Sequence, residues 1–370
     1  MSSDSPRIVR VGIIGCGTVA QVVHLPTLSL LCHLFRITYL CDVSENALRH
    51  CQARVVGGVP PEITTDAAEL CASPEVDVVF VINSDEYHTD HAVLALQHNK
   101  FVFVEKPLAL NLRDCEAIAS AEKASSGDVM VGYMRRYAPV FLDAVKEIGG
   151  VENIMFARVR DIIGPNSTFI EQSGTFAKAF TDFPPESTKE KDAKAEDTVS
   201  QGLKECGVKM TPESTMTWRI MGGLGSHDLS AMRECIGLPD EVLGSSLALP
   251  FWSVLFQYPK FAVSYETGFY NVPKFDAHIE VYGQNKSVRV QYDTPFVKGL
   301  PITMHISEVC DGGSLKETTI RKTYEDPYTV ELKELYAHIT EGRPIKTTIS
   351  DAKEDLEIFK MIVQKGHERT

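Results

Sequence analysis

Two glycines and an aspartate near the start of the chain have the spacing of a site for a phosphate-bearing nucleotide. Gly15-x-Gly17-x-x-Ala20 follows a β-branched run, and Asp42 closes the next apolar run. Gly15 permits a tight turn, Gly17 lets backbone N–H groups approach a pyrophosphate, and the small Ala20 allows a helix to pack closely on a strand. The N-terminus of that helix favours the phosphate charge. The chemistry predicted here is dinucleotide binding.

Asp42 bears on which dinucleotide is bound. A carboxylate at this position accepts hydrogen bonds from the ribose hydroxyls and repels a 2′-phosphate, and Val43-Ser44 supplies no arginine to offset that repulsion. The sequence therefore favours NAD over NADP. The loop residues Thr18 and Val19 belong to the same predicted cofactor site. The alternative is a glycine turn that binds nothing, but the preceding strand and the acidic residue argue against it.

A lysine directly before a proline is the second candidate for chemistry. Glu105-Lys106-Pro107 follows the apolar run at residues 100–104, which has the composition of a buried strand. The residue before a proline rarely adopts the helical conformation. The pattern therefore predicts an extended or turn peptide, with a cis bond allowed. At a strand end, that peptide directs an ammonium group into the cofactor crevice. A surface lysine on a loop is the alternative.

The elements that position these residues alternate between strands and helices. Residues 76–82 and 100–104 are nearly all β-branched or aromatic, and residues 88–98 carry apolar side chains at helical spacing. This alternation predicts an α/β fold with a parallel, doubly wound sheet. Binding is then expected at the carboxyl ends of the strands.

Several motifs together resemble the glucose–fructose oxidoreductase, inositol dehydrogenase and MocA family, over essentially the whole chain. They are Gly15-x-Gly17-x-x-Ala20, His24-Leu-Pro26, Asn83-Ser-Asp-Glu-Tyr-His88, Glu105-Lys106-Pro107 and Val131-Gly-Tyr-Met-Arg-Arg-Tyr137. The Glu-Lys-Pro element is the specific one among them. The resemblance implies an N-terminal Rossmann domain, here residues 1–134, and a C-terminal α+β domain with a large, mostly antiparallel open sheet, here residues 135–370.

The second part of the chain has patterns that fit this expectation. Strand-like runs separated by turn residues occur at residues 152–160, 241–249, 253–257, 262–270, 277–282 and 287–292. Helices are predicted at residues 327–340 and 350–365, and they are expected to pack back on the first domain. Residues 164–212 are rich in charged residues and are predicted to be a polar insertion or active-site lid that contains a solvated helix.

A histidine in a glycine-led segment is the predicted acid/base. Met221-Gly-Gly-Leu-Gly-Ser-His227 precedes apolar residues at helical spacing, so His227 falls in a first helical turn. The resemblance implies that this histidine faces nicotinamide and substrate together with Lys106. His227 would then be the general acid/base for a hydroxyl proton, Lys106 would polarise the oxygen, and the cofactor would carry the hydride. The alternative is a histidine with only a structural hydrogen bond.

The histidine segment departs from the family pattern in its acids. The aspartate that many members have four residues before the histidine is Gly223 here, and an acid three residues after it is Ser230. Asp228 adjoins His227, but adjacent residues on a helix do not face each other. Asp161 is the candidate replacement.

The resemblance implies further contacts on both sides of the crevice. The implied substrate contacts are Tyr133, Arg135, Asp161 and His227, and the implied cofactor contacts beyond the glycine loop are Asn83, His88, Glu105 and Lys106. Ser84 stands where proline is common in the family, so that loop is expected to differ. A structural role is the alternative for these residues.

Composition limits the other possibilities. A chain of 370 residues is long for one core, so two domains are expected. The net charge of −13 argues against nucleic acid and anionic membrane surfaces as partners. Nine cysteines, with no Cys-x-x-Cys pair, predict neither a disulfide framework nor a metal site. The opening Met-Ser-Ser-Asp-Ser-Pro resembles no signal peptide, so a cytoplasmic protein is expected.

The sequence predicts an NAD(P)-dependent oxidoreductase for a secondary alcohol or ketone, of a sugar, inositol or related cyclic polyol. An exposed sheet face predicts a homodimer or homotetramer. Two alternatives stay open. One is a dinucleotide-binding sensor or regulator without turnover, and the other is a reductase of a non-carbohydrate ketone or imine in secondary metabolism.

Overall fold

The computed structural model describes residues 7–367. The expectation about the opening residues therefore lies mostly outside the described range. The chain divides into two compact units: Met1–Gly132, Thr175–Gly202 and Leu332–Lys353 form the first, and Tyr133–Gly174, Leu203–Glu331 and Glu354–Thr370 form the second. Part of the polar insertion and one C-terminal segment thus belong to the first unit, although they follow the predicted boundary at residue 134.

The first unit contains a six-stranded sheet. Its strands are β1 (Val9–Ile14), β2 (Phe35–Cys41), β3 (Glu62–Thr64), β4 (Val78–Val81), β5 (Phe101–Glu105) and β6 (Val129–Gly132). Their order is β3-β2-β1-β4-β5-β6, and every neighbouring pair is parallel. β4 is buried along its whole length, which explains its unbroken apolar sequence. The predicted doubly wound sheet is confirmed.

Polar caps determine where several helices of this unit begin. The helices that follow the first five strands are α1 (Leu25–Leu30), α2 (Glu45–Gln52), α3 (Ala67–Ala72), α4 (His88–Gln97) and α5 (Leu112–Ala124). The side chains of Ser44, Asp66 and Asn111 accept hydrogen bonds from the first turns of α2, α3 and α5. Each cap satisfies a backbone N–H that has no partner within its helix. A π-helical turn, Ala20–His24, precedes α1.

The second unit contains an eight-stranded sheet. Its strands are β7 (Phe156–Ile163), β8 (Glu241–Ser246), β9 (Phe251–Gln257), β10 (Ala262–Phe269), β11 (Phe275–Tyr282), β12 (Lys286–Tyr292), β13 (Thr303–Val309) and β14 (Leu315–Ile320). Their order is β14-β13-β12-β11-β7-β10-β9-β8, and the pair of β7 with β10 is parallel while the other pairs are antiparallel. The predicted mostly antiparallel open sheet is confirmed.

Two features of this sheet differ from the sequence-based expectation. β7 starts at Phe156, four residues later than expected, because Val151–Asn153 forms a 3₁₀ turn. β13 and β14 were not predicted. The side chains of β14 are mostly exposed, so its sequence lacks the apolar alternation that marks a half-buried strand.

The remaining helices lie between and after these strands. They are α6 (Met134–Tyr137), α7 (Pro139–Ile148), α8 (Asn166–Glu171), α9 (Pro185–Glu205), α10 (Pro212–Ile220), α11 (Ser226–Ile236), α12 (Pro327–Glu341) and α13 (Ile349–His367). α9 lies in the polar insertion. Across residues 7–367, we find no helix with the length and apolar character that a membrane span requires. The same residues hold no group of three or more His, Cys, Asp or Glu side chains placed to bind a metal.

Candidate dinucleotide and catalytic site

The glycine loop lies where β1 ends, and its first glycine is in close contact with the end of β4. Gly15 has a φ of +108°, and a Cβ there would lie 2.6 Å from the backbone N of Asn83. Its N–H donates to the carbonyl of Cys41, at 2.8 Å, on the neighbouring β2. A Cβ at Gly17 would meet no atom within 4 Å. The loop is therefore tight at the first glycine and open at the second, as the approach of a pyrophosphate requires.

The carboxylate of Asp42 is fixed at the end of β2 by two backbone hydrogen bonds. One oxygen accepts from the N–H of Cys16 at 2.7 Å, and the other accepts from the N–H of Ser44 at 2.8 Å. Burial raises the pKa of Asp42 above its usual value, and the two hydrogen bonds oppose that rise. Asp42 is thus held in one orientation beside the glycine loop.

A cleft of about 950 Å³ runs along these residues within the first unit. That volume suits a ligand of cofactor size. Of the predicted cofactor residues, the ones that line the cleft are Gly15, Gly17, Thr18, Val19, Asp42 and Asn83. Ala20 is buried in the π-helical turn after the loop. The glycine loop, the acid and the end of β4 therefore surround one cavity.

The inserted segment forms another wall of this cleft. Lys178, Phe180 and Phe183 line it, together with the first two turns of α9. The main chain of Lys178 forms two hydrogen bonds with the side chain of Gln21, which is completely buried. The ring of Phe180 lies 5.4 Å from the ring of His50, measured between centroids. The sequence analysis missed these residues because no motif spacing connects them to the glycine loop.

The loop after β4 adds two residues that the sequence analysis also missed. His91 and Tyr87 line the cleft, with their rings stacked at 5.7 Å, and Asn83 donates its amide to Nδ1 of His91 at 2.9 Å. Burial lowers the pKa of His91 to about 4, and the nearby Asp90 only partly opposes this. Tyr87 and His91 are four residues apart, which is the separation of neighbours on a helical face. This spacing could have predicted from the sequence that the two side chains lie together.

Lys106 lies at the carboxyl end of β5, in a turn with a cis peptide bond to Pro107. Its side chain is half-buried, and its backbone N–H donates to the carboxylate of Glu105 at 3.2 Å. The other Glu105 oxygen lies 2.8 Å from Nε2 of His24. Burial raises the pKa of Glu105, but the hydrogen bond from His24 and the charges of His24 and Lys106 bring it below its usual value. Glu105 is thus a buried carboxylate directly beside the lysine.

His88 connects the loop after β4 to the turn after β5. Its Nδ1 lies 2.8 Å from the carbonyl oxygen of Pro107, and its Nε2 lies 3.3 Å from that of Asn83. The ring is buried. This placement favours a role in holding the two loops, and direct contact of His88 with a cofactor stays a prediction.

His227 lies in the first turn of α11, within the second unit, and is half-buried. A π-helical turn, Met221–Gly225, precedes it, and such turns are frequent at functional sites. Gly223, four residues earlier on this helical path, is exposed, and a Cβ there would meet no atom within 4 Å. The structure therefore has space for the acidic side chain that the sequence lacks at this position.

Arg135 and Asp161, two of the predicted substrate contacts, form a buried charged cluster with Asp228. The Arg135 guanidinium donates to Asp161 at 3.0 Å and also to Asp228, and it lies 5.0 Å from the centroid of the Tyr292 ring. All three residues are at most 4% exposed. Burial raises the pKa of Asp228 well above its usual value, and the charge of Asp161 adds to the rise. The placement favours a structural role, so substrate contact by Arg135 or Asp161 stays a prediction.

Tyr133 is also buried in the second unit. Its hydroxyl donates to the carboxylate of Asp355 at 2.6 Å, and Arg233 binds the other oxygen of that carboxylate. Burial raises the pKa of Asp355 to about 6 against the effect of these two partners. The hydroxyl of Tyr133 is thus bonded inside the unit, and its contact with substrate stays a prediction.

Comparison with known proteins finds relatives of the first part of the chain. Inositol 2-dehydrogenase 3 of Saccharopolyspora erythraea is 36% identical over 130 residues, which cover 35% of this chain and 37% of that protein. The match thus spans little more than a third of the relative's length.

Solved structures match the fold over nearly the whole chain. A levoglucosan dehydrogenase in complex with NADH and levoglucosan has a TM-score of 0.72 at 15% identity, with 98% of each chain covered. A 3-ketoreductase from Actinomadura kijaniata in complex with NADP and TDP-benzene has a TM-score of 0.70 at 15% identity, covering 97% of this chain and 98% of that one. At these low identities, the matches support the fold alone, which is the two-sheet architecture.

The family model described as an oxidoreductase family with an NAD-binding Rossmann fold matches residues 9–133. Those residues contain the glycine loop, Asp42, Asn83 and Glu105-Lys106-Pro107 in the arrangement given above. Residues 9–133 are thus similar to the NAD-binding domain of the glucose–fructose oxidoreductase, inositol dehydrogenase and MocA family of oxidoreductases.

Proposed function

We propose that this chain is an NAD-dependent oxidoreductase that interconverts a secondary alcohol and a ketone on a sugar, an inositol or a related cyclic polyol. The observation that carries the proposal is the cleft of the first unit, in which Gly15, Gly17, Asp42 and Asn83 surround a cavity of about 950 Å³. The inositol dehydrogenase that matches this domain supports the substrate class. NAD is favoured over NADP because Asp42 lines the cleft as a carboxylate.

The residues that would hold the cofactor fit its parts. The open space at Gly17 allows the backbone N–H groups of the loop to approach a pyrophosphate, and Asp42 would accept from the ribose hydroxyls. When bound, the nicotinamide supplies or accepts the hydride. Phe180 and Phe183 offer apolar surface within the same cleft.

Lys106 and His227 would provide the polar chemistry at the substrate oxygen. The Lys106 ammonium, beside the buried Glu105, would donate a hydrogen bond to that oxygen and stabilise the charge that develops on it. His227 would take the hydroxyl proton during oxidation and return it during reduction, a task that suits a side chain that titrates near neutral pH.

A second candidate is a dinucleotide-binding sensor without turnover. The observation that favours it is Gly223, which stands where many family members have an aspartate. A carboxylate at that position would orient a histidine and raise its basicity. The two candidates share the cleft and differ in whether His227 exchanges a proton with a substrate.

The first experiment is a fluorescence titration with NADH and with NADPH, followed by a panel of cyclic polyols and keto-sugars. Lys106→Met and His227→Asn should each lower kcat by about 100-fold or more, and His227→Asn should keep dinucleotide binding. Lys123→Met and His98→Asn alter exposed residues and serve as matched controls. Turnover that survives both active-site variants would refute the catalytic assignment. NADH binding without turnover on any compound would favour the sensor.

The proposal extends to assembly and location. The open face of the second sheet exposes Phe251 and Leu255 on the same face of β9, at 45% and 40%. We infer a homodimer or homotetramer through this face, in the cytoplasm, with a small molecule rather than nucleic acid or membrane as partner. A sedimentation experiment that detects only monomer would refute the assembly.

A further inference from the structure

A carboxylate from the inserted segment lies at the edge of the dinucleotide cleft. Asp182 accepts a hydrogen bond from the hydroxyl of Ser44 at 2.5 Å and another from the N–H of Asn46 at 3.1 Å. Ser44 is the residue that caps α2, and it comes two residues after Asp42. The neighbours of Asp182 in sequence, Phe180 and Phe183, line the cleft. A residue from a distant part of the chain therefore sits where β2 passes into α2.

This location matters because of the ribose. Asp42 is the acid that the dinucleotide fingerprint assigns to the adenosine ribose, and donors just after it are the groups available to bind a 2′-phosphate. Here those donors include the Ser44 hydroxyl and the Asn46 N–H at the start of α2. Both already donate to Asp182. An anion at the ribose would have to displace this carboxylate to use them.

Asp182 also adds negative charge at the same place. The hydrogen bonds from Ser44 and Asn46 lower the pKa of Asp182, so its carboxyl is ionised at neutral pH. Its charge is one of the causes that raise the pKa of Asp42, after burial and against the hydrogen bonds from Cys16 and Ser44. The two carboxylates are thus close enough to interact electrostatically, and a third anionic group between them would be repelled by both.

We propose that Asp182 is a second determinant of dinucleotide choice, which acts with Asp42 to reject the 2′-phosphate of NADP. It occupies the donors that a 2′-phosphate would need, and it repels that phosphate. This inference rests on the proposed dinucleotide binding, and it gives the inserted segment a part in cofactor selection beyond covering the cleft.

The variant Asp182→Asn separates the effect of the negative charge of Asp182 from that of its hydrogen bonds to α2. The amide keeps the size of the side chain and an oxygen that accepts from Asn46, but it removes the negative charge. We expect the ratio of the NADPH and NADH dissociation constants to fall about ten-fold, with the NADH constant changed less than about two-fold. Asp311→Asn, at an exposed position in the second unit, is the matched control and should leave the ratio unchanged.

Asp182→Ala removes both the charge and the two hydrogen bonds. It should lower the ratio as Asp182→Asn does and also weaken NADH binding, because the segment loses its attachment to α2. The dissociation constants are measured by nicotinamide fluorescence, with wild-type protein alongside. An unchanged ratio in Asp182→Asn, while wild type binds NADH, would refute the inference and leave the proposed function intact. Equal weakening of both cofactors would reduce Asp182 to an anchor and also refute it. A wild type that binds neither dinucleotide would refute both.

Discussion

Gln21 and Lys178, 157 residues apart in sequence, are joined by a pair of hydrogen bonds. The Gln21 amide donates to the carbonyl of Lys178 at 3.0 Å, and the Lys178 N–H donates to the Gln21 carbonyl oxygen at 2.8 Å. Gln21 also donates to the carbonyl of Cys16 in the glycine loop. One buried side chain therefore attaches the inserted segment directly to the loop that is proposed to hold the cofactor phosphates.

Gln21→Met should loosen this attachment without changing the volume much. It removes both bonds to Lys178, and each net hydrogen bond is worth about 1 kcal/mol. We expect NADH affinity to fall about ten-fold and limited proteolysis between residues 175 and 184 to become faster. Gln172→Met, at an exposed position, is the control. Wild-type affinity together with wild-type proteolysis would show that the attachment does not support the cleft.

The local parts of the site could be predicted from the sequence, and the long-range parts could not. Gly15, Asp42 and Lys106 lie at ends of strands in one parallel sheet, where motif spacing determines position. Lys178 and Asp182 reach the same cleft from a polar stretch without periodicity, so only the folded chain shows their partners. The position of Asp161 could be predicted only in part. It lies on the buried face of β7, with Val159, but the predicted strand stopped one residue before it.

The two glycines of the loop should respond differently to alanine. In Gly15→Ala, the Cβ would collide with Asn83 and the φ of +108° would be strained. The free energy of unfolding should therefore fall by about 2 kcal/mol or more. In Gly17→Ala, the Cβ meets no atom, so thermal stability should stay near wild type while NADH affinity falls at least ten-fold. Thermal melts and NADH titrations of both variants check this. Equal stability of the two variants would contradict the argument.

Gly223→Asp should restore an acid to the histidine. Residues four apart on a helix are neighbours, and the Cβ at this position meets no atom within 4 Å. A carboxylate there would favour the protonated imidazole, so the acidic limb of the kcat/KM profile should move up by about one pH unit. Gly223→Asn is the uncharged control. A pH profile of Gly223→Asp that matches this control would mean that His227 does not exchange the proton in turnover.

His91 should make stability depend on pH in one direction. Its pKa is about 4 in the fold because burial disfavours the charged ring, whereas an unfolded histidine has a value near 6.5. Between these values the unfolded chain binds a proton that the native state does not, so stability falls as pH decreases from about 6.5 to 4. His91→Gln should remove up to about 3 kcal/mol of this loss. Urea unfolding at pH 7 and pH 4.5 measures the difference, and parallel losses in variant and wild type would refute it.

The buried cluster around Arg135 should tolerate the loss of one carboxyl group but not of the other. Its two acids face a single guanidinium, and burial together with Asp161 raises the pKa of Asp228 well above its usual value. A carboxyl group whose pKa is raised in the native state contributes stability that declines as pH rises above its unfolded value near 4, and Asp228 should follow this direction. Asp228→Asn resembles the protonated form and should stay within about 1 kcal/mol of wild type at pH 7. Asp161→Asn leaves Asp228, whose charged form burial disfavours, as the remaining acid at Arg135 and should cost about 3 kcal/mol or more. Urea unfolding of the two variants decides the point, because a greater cost for Asp228→Asn would mean that Asp228 carries the charge that neutralises Arg135.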